Sequence, residues 1–182
     1  IKEQEITILQ GQSGKKIIRA NLINPVSDNQ ADLLHNAVLV LAPATNNDKD
    51  PEYQIELIGR EEEFGEYLKP ESGDEIIDLR EYILIPALLD LHFHWVQDAV
   101  RSMPKESLLD WLKNHTWPTE AKFADPSYSQ ECAKFFSQEL IKNGTFGGLC
   151  YSSIHDHTID HIHESFIGDY IAGTVIMTIN SP

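Results

Sequence analysis

Cysteine is scarce in this chain, with two among 182 residues. Cys132 and Cys150 cannot build a disulfide scaffold or a four-cysteine zinc module. Basic residues are also few: 14 Lys and Arg stand against 29 Asp and Glu, a net charge of −15. Such a surface repels phosphates, which argues against nucleic acid and anionic membranes as partners. No apolar run approaches the roughly 18 residues of a membrane span. The N-terminus lacks a signal-peptide pattern, and the first residue is Ile1, not Met. A soluble protein in a reducing, cytoplasmic setting is expected. Hydrophobic residues at 41% and charged residues at 24% are ordinary for a globular chain. This length suits one domain, or a domain with an added piece, and needs no covalent staple.

The texture changes near residue 85. Before it, short strands alternate with turns. Lys16–Ile23 reads as a strand ending at the turn signal Asn24-Pro25. Ala37–Leu41 is an apolar run of strand formers, and Tyr53–Leu57 alternates apolar and polar residues. The polar stretch Ala44–Pro51 between them predicts a hairpin with a long loop. Glu61-Glu62-Glu63 and Lys69–Asp74 read as surface loops, and Glu75–Leu79 as another strand. The expectation is an all-β module without a chemical constellation of its own.

After it, Ile83–His92 is apolar and nearly free of charge, as in a parallel-sheet strand buried on both faces. Asp125-Pro126 opens a helix, with Asp as the cap and Pro in the first turn. Cys132, Phe135, Phe136 and Leu140 share one face of it, and Asn143-Gly144 closes it. Thr145–Ser152 is the next strand, His157–Phe166 a helix, and Ile171–Met177 a third apolar strand. Strands and helices alternating at this spacing predict βαβ units and a parallel sheet, so the fold class is α/β.

The chemistry sits at the end of the first of these strands. His92 and His94 are two apart, so they share a face, and Asp90 shares it with them. Two imidazoles make part of a zinc site, which in enzymes commonly takes three protein ligands and a water. His-x-His is weak evidence alone; its place at the C-terminal end of a strand strengthens it, because active-site groups gather there in α/β barrels. Asp90 reads as a partner behind the ligands rather than a ligand. Trp95 reads as core filling rather than a stacking platform. His155, His157, His161 and His163 read as a polar, exposed helix face. Cys132 and Cys150 read as buried and inert.

Pro86-Ala87-Leu88-Leu89-Asp90-Leu91-His92-Phe93-His94 resembles the Pro-Gly-φ-φ-Asp-x-His-x-His signature of the amidohydrolase superfamily, where φ is apolar. Within it, the chain resembles the guanine deaminase family. Gln97 matches a purine-binding Gln. Leu108–Glu120, with its His-Thr-Trp-Pro-Thr-Glu ending, matches a family loop. Asn143-Gly144-Thr145, Ile154-His155, and Ile171-Ala172-Gly173 with Asn180 also fit. The likeness runs from about Arg19 to Pro182. It implies a β-sandwich module (residues 1–82) followed by the first strands and helices of a metal-dependent (β/α)8 hydrolase barrel (residues 83–182), incomplete in this chain. It further implies one zinc per complete site, with His92 and His94 as ligands and Gln97 on a small-molecule purine. The implied reaction is hydrolysis of guanine to xanthine and ammonia.

Three features depart from the pattern. Ala87 stands for the motif Gly, and Phe146-Gly147-Gly148 follows Asn-Gly-Thr. The chain also stops at Pro182, before the family's later metal ligands and general acid, so no catalytic residue is assigned. The 182-residue chain alone is therefore expected to be inactive, and to form a homo-oligomer or pair with the remaining C-terminal part. A non-catalytic remnant or interaction module, and a related aminohydrolase or chlorohydrolase acting on another heterocycle, are the alternatives.

Overall fold

The computed structural model describes residues 14–44, 53–104 and 107–176. The chain divides into two compact units, Ile1–Pro86 and Ala87–Pro182.

In the first unit the described strands form one four-stranded sheet in the order β3-β2-β1-β4. Strands β1 (Lys16–Ser27) and β2 (Gln30–Pro43) are antiparallel about a turn at Asp28-Asn29. Strand β3 (Tyr53–Arg60) runs antiparallel to β2, the expected hairpin. Strand β4 (Glu75–Leu84) lies parallel to β1.

Two expectations fail here. The chain does not turn at Asn24-Pro25; β1 continues through it, with Pro25 opposite Ala31 of β2. Pairing of β1 with β4 ends at Leu22, so among the described strands only β2 flanks Pro25, and its missing N–H costs the ladder little. The acidic run is not a loop either. Glu61–Phe64 forms a helical turn, and a 3-10 turn follows over Gly65–Leu68. Three carboxylates in a first helical turn suit the positive end of its dipole. This piece folds back on the sheet, where Leu68 joins Ile17, Val38 and Val40, with Leu57 and Phe64 packed against them. Gly59 permits the contact, since a Cβ there would lie 2.6 Å from the Phe64 ring.

In the second unit β5 (Leu88–His94), β6 (Thr145–Ser152) and β7 (Asp169–Thr174) form a parallel sheet in that order. Helix Pro126–Lys142 separates β5 from β6, and helix His157–Ser165 separates β6 from β7. The Asp125 carboxylate caps the longer helix by accepting the backbone N–H of Ser127 at 2.9 Å. Gly144, at φ +73, makes the left-handed exit into β6. The core joins Trp95, Val96, Phe123, Ala133, Cys150 and Ile162.

The strand expected over Ile83–His92 is two strands. Ile83 and Leu84 finish β4, and Pro86 interrupts before β5 begins at Leu88. Nor is β5 buried on both faces: Leu89 and Leu91 are each 64% exposed. Only one edge of β5 meets another described strand, so its apolar side chains lack the full cover that a central strand enjoys. Strand β7 starts two residues earlier than expected, where Asp169 pairs with Gly147, and ends at Thr174. Met177 and Asn180, like part of the polar stretch 44–51, lie outside the described residues. Among the described residues no helix is long and apolar enough to cross a membrane.

Candidate metal and substrate site

Alternation along β5 sets Asp90, His92 and His94 on one face. The imidazoles of His92 and His94 lie 5.4 Å apart, centre to centre. Strand β6 approaches from the side, and its Tyr151 is the register partner of His94. The Tyr151 ring stands 4.7 Å from that of His92 and 4.9 Å from that of His94, nearly parallel to the latter. Burial, and then the neighbouring His92, hold the His94 pKa below its ordinary value. An imidazole kept neutral is the form that binds a metal.

Asp90 turns to the main chain: its carboxylate accepts the His92 backbone N–H at 3.0 Å. It thereby holds the strand at the first histidine rather than the imidazole itself. Opposite it, Gly148 sits at φ +150, and a Cβ there would fall on the Asp90 carbonyl. Gly148 is thus the means by which β6 comes close to β5 below the histidines, and Gly147 clears Asp169 of β7.

Gln97 lies in the 3-10 turn Trp95–Val100 that follows β5. Its Nε2 donates to Glu120 Oε1 at 2.8 Å. The same nitrogen stands 3.4 Å from His94 Nδ1, a long contact that Nδ1 accepts only when it carries no proton. Glu120 ends the segment expected as a loop, which is instead helical: Ser107 caps Leu108–Trp111, a π turn spans Leu112–Thr116, and Trp117–Glu120 resumes the α form. Burial raises the Glu120 carboxyl above its ordinary value, against the opposing effect of the Gln97 hydrogen bond. Asp90, His92, His94, Gln97 and Trp111 line a common cavity of about 380 Å³.

Trp95 is core, as expected. It is 1% exposed, and its ring meets Phe123 and Phe166 edge-on. The histidine tract is not the exposed face that its polarity suggested. His157 Nε2 donates to the Phe123 carbonyl at 2.8 Å, and the buried His161 is hydrogen-bonded through Nδ1 to Ser129 Oγ at 2.9 Å. Residues four apart on a helix share a face, and this face packs inward; His163 alone of the four is exposed. Cys150 is buried, its thiol pushed up to about 12 by desolvation, and burial also raises Cys132. Neither thiol has the character of a nucleophile.

Sequence reasoning singled out neither Tyr151 nor Glu120. The signal for Tyr151 was its place near the end of a strand parallel to the one bearing the histidines. For Glu120 it was the last position of the His-Thr-Trp-Pro-Thr-Glu run. Among the described residues no group of three or more His, Cys, Asp or Glu is placed to hold a metal.

No protein-family model matches the chain. Guanine deaminase of Escherichia coli K12 is 35% identical over 134 residues, covering 68% of this chain and 30% of that protein. The crystal structure of guanine deaminase from C. acetobutylicum with bound guanine in the active site superposes with a TM-score of 0.73 at 29% identity. That match covers 92% of this chain and 38% of the other. Atrazine chlorohydrolase from Arthrobacter aurescens TC1, complexed with zinc, shares the fold at 19% identity, with a TM-score of 0.65, over 91% of this chain and 36% of that one. The chain spans about a third of the length of these relatives. It is homologous to guanine deaminases and corresponds to an N-terminal portion of these amidohydrolase-family proteins.

Proposed function

We propose that this chain supplies the first part of a zinc-dependent hydrolytic deaminase that converts guanine to xanthine and ammonia. The observation that carries the reading is the pairing of His92 and His94 at the C-terminal end of a parallel strand, with Gln97 in the same cavity. Ligands of open α/β sheets and barrels bind at that end of the strands. Homology to guanine deaminases supports the substrate. Ile83 and Leu84 belong to the first sheet, so the unit Ala87–Pro182, rather than residues 83–182, is read as the opening of a (β/α)8 barrel, and the unit Ile1–Pro86 as part of a β-sandwich. The activity belongs to a protein that also contains the remaining barrel.

The donor set fits two positions of a zinc site. Both imidazoles are neutral-type ligands on one strand face, and the other ligands would come from outside the described residues. Zinc, when bound, supplies a Lewis acid that makes water nucleophilic near neutral pH. The chain's own groups would hold and orient. His92 and His94 would hold the metal, with the Tyr151 ring stacked beside them limiting their rotation. Asp90 fixes the backbone between them. Gln97 would bind the purine by its amide. The substrate is a small neutral heterocycle, for which the acidic surface is no barrier. A cytoplasmic setting and self-association through open sheet edges complete the proposal.

The test is the full-length gene product assayed for xanthine and ammonia from guanine. His92→Ala should remove both bound zinc and turnover while circular dichroism stays unchanged. Gln97→Ala should cost about 1–3 kcal/mol in kcat/KM through an unpaired polar partner. A zinc-loaded protein that leaves guanine untouched would point instead to another heterocycle or to a non-catalytic role.

A further inference from the structure

A glutamine amide has a donor on one side and an acceptor on the other, and half a turn about its last bond exchanges them. Which side faces a ligand decides which ligand edge is read. At Gln97 the hydrogen bonds decide it. Glu120 Oε1 accepts from Gln97 Nε2 at 2.8 Å. The reverse placement would press the amide oxygen on a carboxylate oxygen, two acceptors with no proton between them. The contact to His94 Nδ1 also runs through Nε2. Gln97 lines the cavity beside His92 and His94, whereas Glu120 stands behind it, half-buried and outside the lining.

We propose that Glu120 is a positioning residue that locks the Gln97 amide, so that the cavity offers Oε1 as an acceptor and selects heterocycles presenting an N–H edge. Guanine has such an edge, in its ring N–H and exocyclic amine. A base whose ring nitrogens only accept at that edge would meet the amide oxygen and lose the bond. This inference rests on the deaminase reading above and adds to it the substrate edge that is read and the residue that sets it.

The experiment is a double-mutant cycle in the zinc-loaded full-length protein, read on guanine. Glu120→Ala should raise KM about tenfold or more while kcat changes less than about threefold, because a binding contact is lost rather than a reacting group. Glu120→Gln keeps an acceptor oxygen toward Nε2 and should restore KM to within about threefold of the parent. In the Gln97→Ala background, Glu120→Ala should add no further loss, since Glu120 acts only through Gln97. Additive losses, an unaffected Glu120→Ala variant, or a Glu120→Gln variant as impaired as Glu120→Ala would each overturn the proposal. If the parent protein releases no ammonia from guanine, the deaminase reading fails by itself. The pair is then read on the 182-residue chain by the side-chain amide resonances of Gln97 in a nitrogen-15 spectrum. One proton shifted downfield and protected from exchange, returning to the solvent-exposed position and rate in Glu120→Ala, supports the lock; identical spectra overturn it.

Discussion

The indole N–H of Trp95 donates to Ser152 Oγ at 2.9 Å, joining the residue after β5 to the last residue of β6 in the interior. The bond begins a relay. Ser152 Oγ donates to Thr158 Oγ1 at 2.7 Å, and Thr158 Oγ1 donates to the His155 carbonyl at 2.6 Å. Two strand ends and the start of a helix are thereby held together next to the histidine pair.

Ser152→Ala removes the middle of this relay and leaves the indole N–H buried without its acceptor. The expected loss is about 1–3 kcal/mol of folding free energy. Urea unfolding followed by near-ultraviolet circular dichroism measures it. Trp95→Ala should cost more, about 3–5 kcal/mol, because a large void adds to the lost bond. Equal, negligible losses from both would mean that the relay contributes nothing.

Gly148→Ala places a methyl group on the Asp90 carbonyl, at a backbone angle that side chains rarely adopt. Strand β6 should separate from β5 at that point. Hydrogen exchange should then show loss of protection around Asp90 and His92, with the first unit unchanged. Unaltered protection would mean that the ladder absorbs a side chain there.

Asp74 gives the first unit a defined response to acid. Its carboxylate accepts the backbone N–H of Lys15 at 2.8 Å and of Glu71 at 2.9 Å, and these bonds hold its pKa below the ordinary 3.8. A carboxyl depressed in the folded state stabilises fully above its unfolded pKa, and the contribution is lost as pH falls through the folded value. Asp74→Ala should therefore lower the urea midpoint near neutral pH, and the deficit should shrink as pH falls below the ordinary carboxyl range. A difference that persists undiminished in acid would show that packing, not ionisation, is at work.

Zinc should be held weakly by the 182-residue chain alone, since two imidazoles fall short of the three protein ligands of a catalytic zinc. Elemental analysis after dialysis against a mild chelator is the measurement. Near-empty chains are expected, and one firmly held zinc per chain would show that the set is complete without further residues.

The parts of the fold that were legible had local causes. Asp125-Pro126 and Asn143-Gly144 carry their own start and stop chemistry, so the helix between them was placed closely, and Thr145–Ser152 matched the strand to the residue. Pro25 misled because a proline's effect depends on whether a neighbouring strand needs its N–H, which a single strand cannot disclose. The histidine tract misled for a related reason. What buries His161 is Ser129, and what engages His157 is Phe123, both more than thirty positions earlier. At the candidate site, one strand's alternation was enough to pair His92 with His94. Tyr151 and Glu120 join them only through the β5–β6 register and the helical path of residues 107–124.

The spatial order β5-β6-β7 repeats the order in which these strands leave the ribosome. Among the described residues each new strand of this sheet finds its partner in the strand made just before it. Growth of this sheet is vectorial: β5 and β6 can zip as soon as Ser152 has emerged, bringing His94 and Tyr151 together before β7 is synthesised. The crossover from His94 to Thr145 is nonetheless a long loop to close, and parallel pairing is slow, so emergence from the ribosome sets the order of assembly rather than its speed. The histidine pair would then be laid down early in synthesis, as a template on which later parts of the protein assemble.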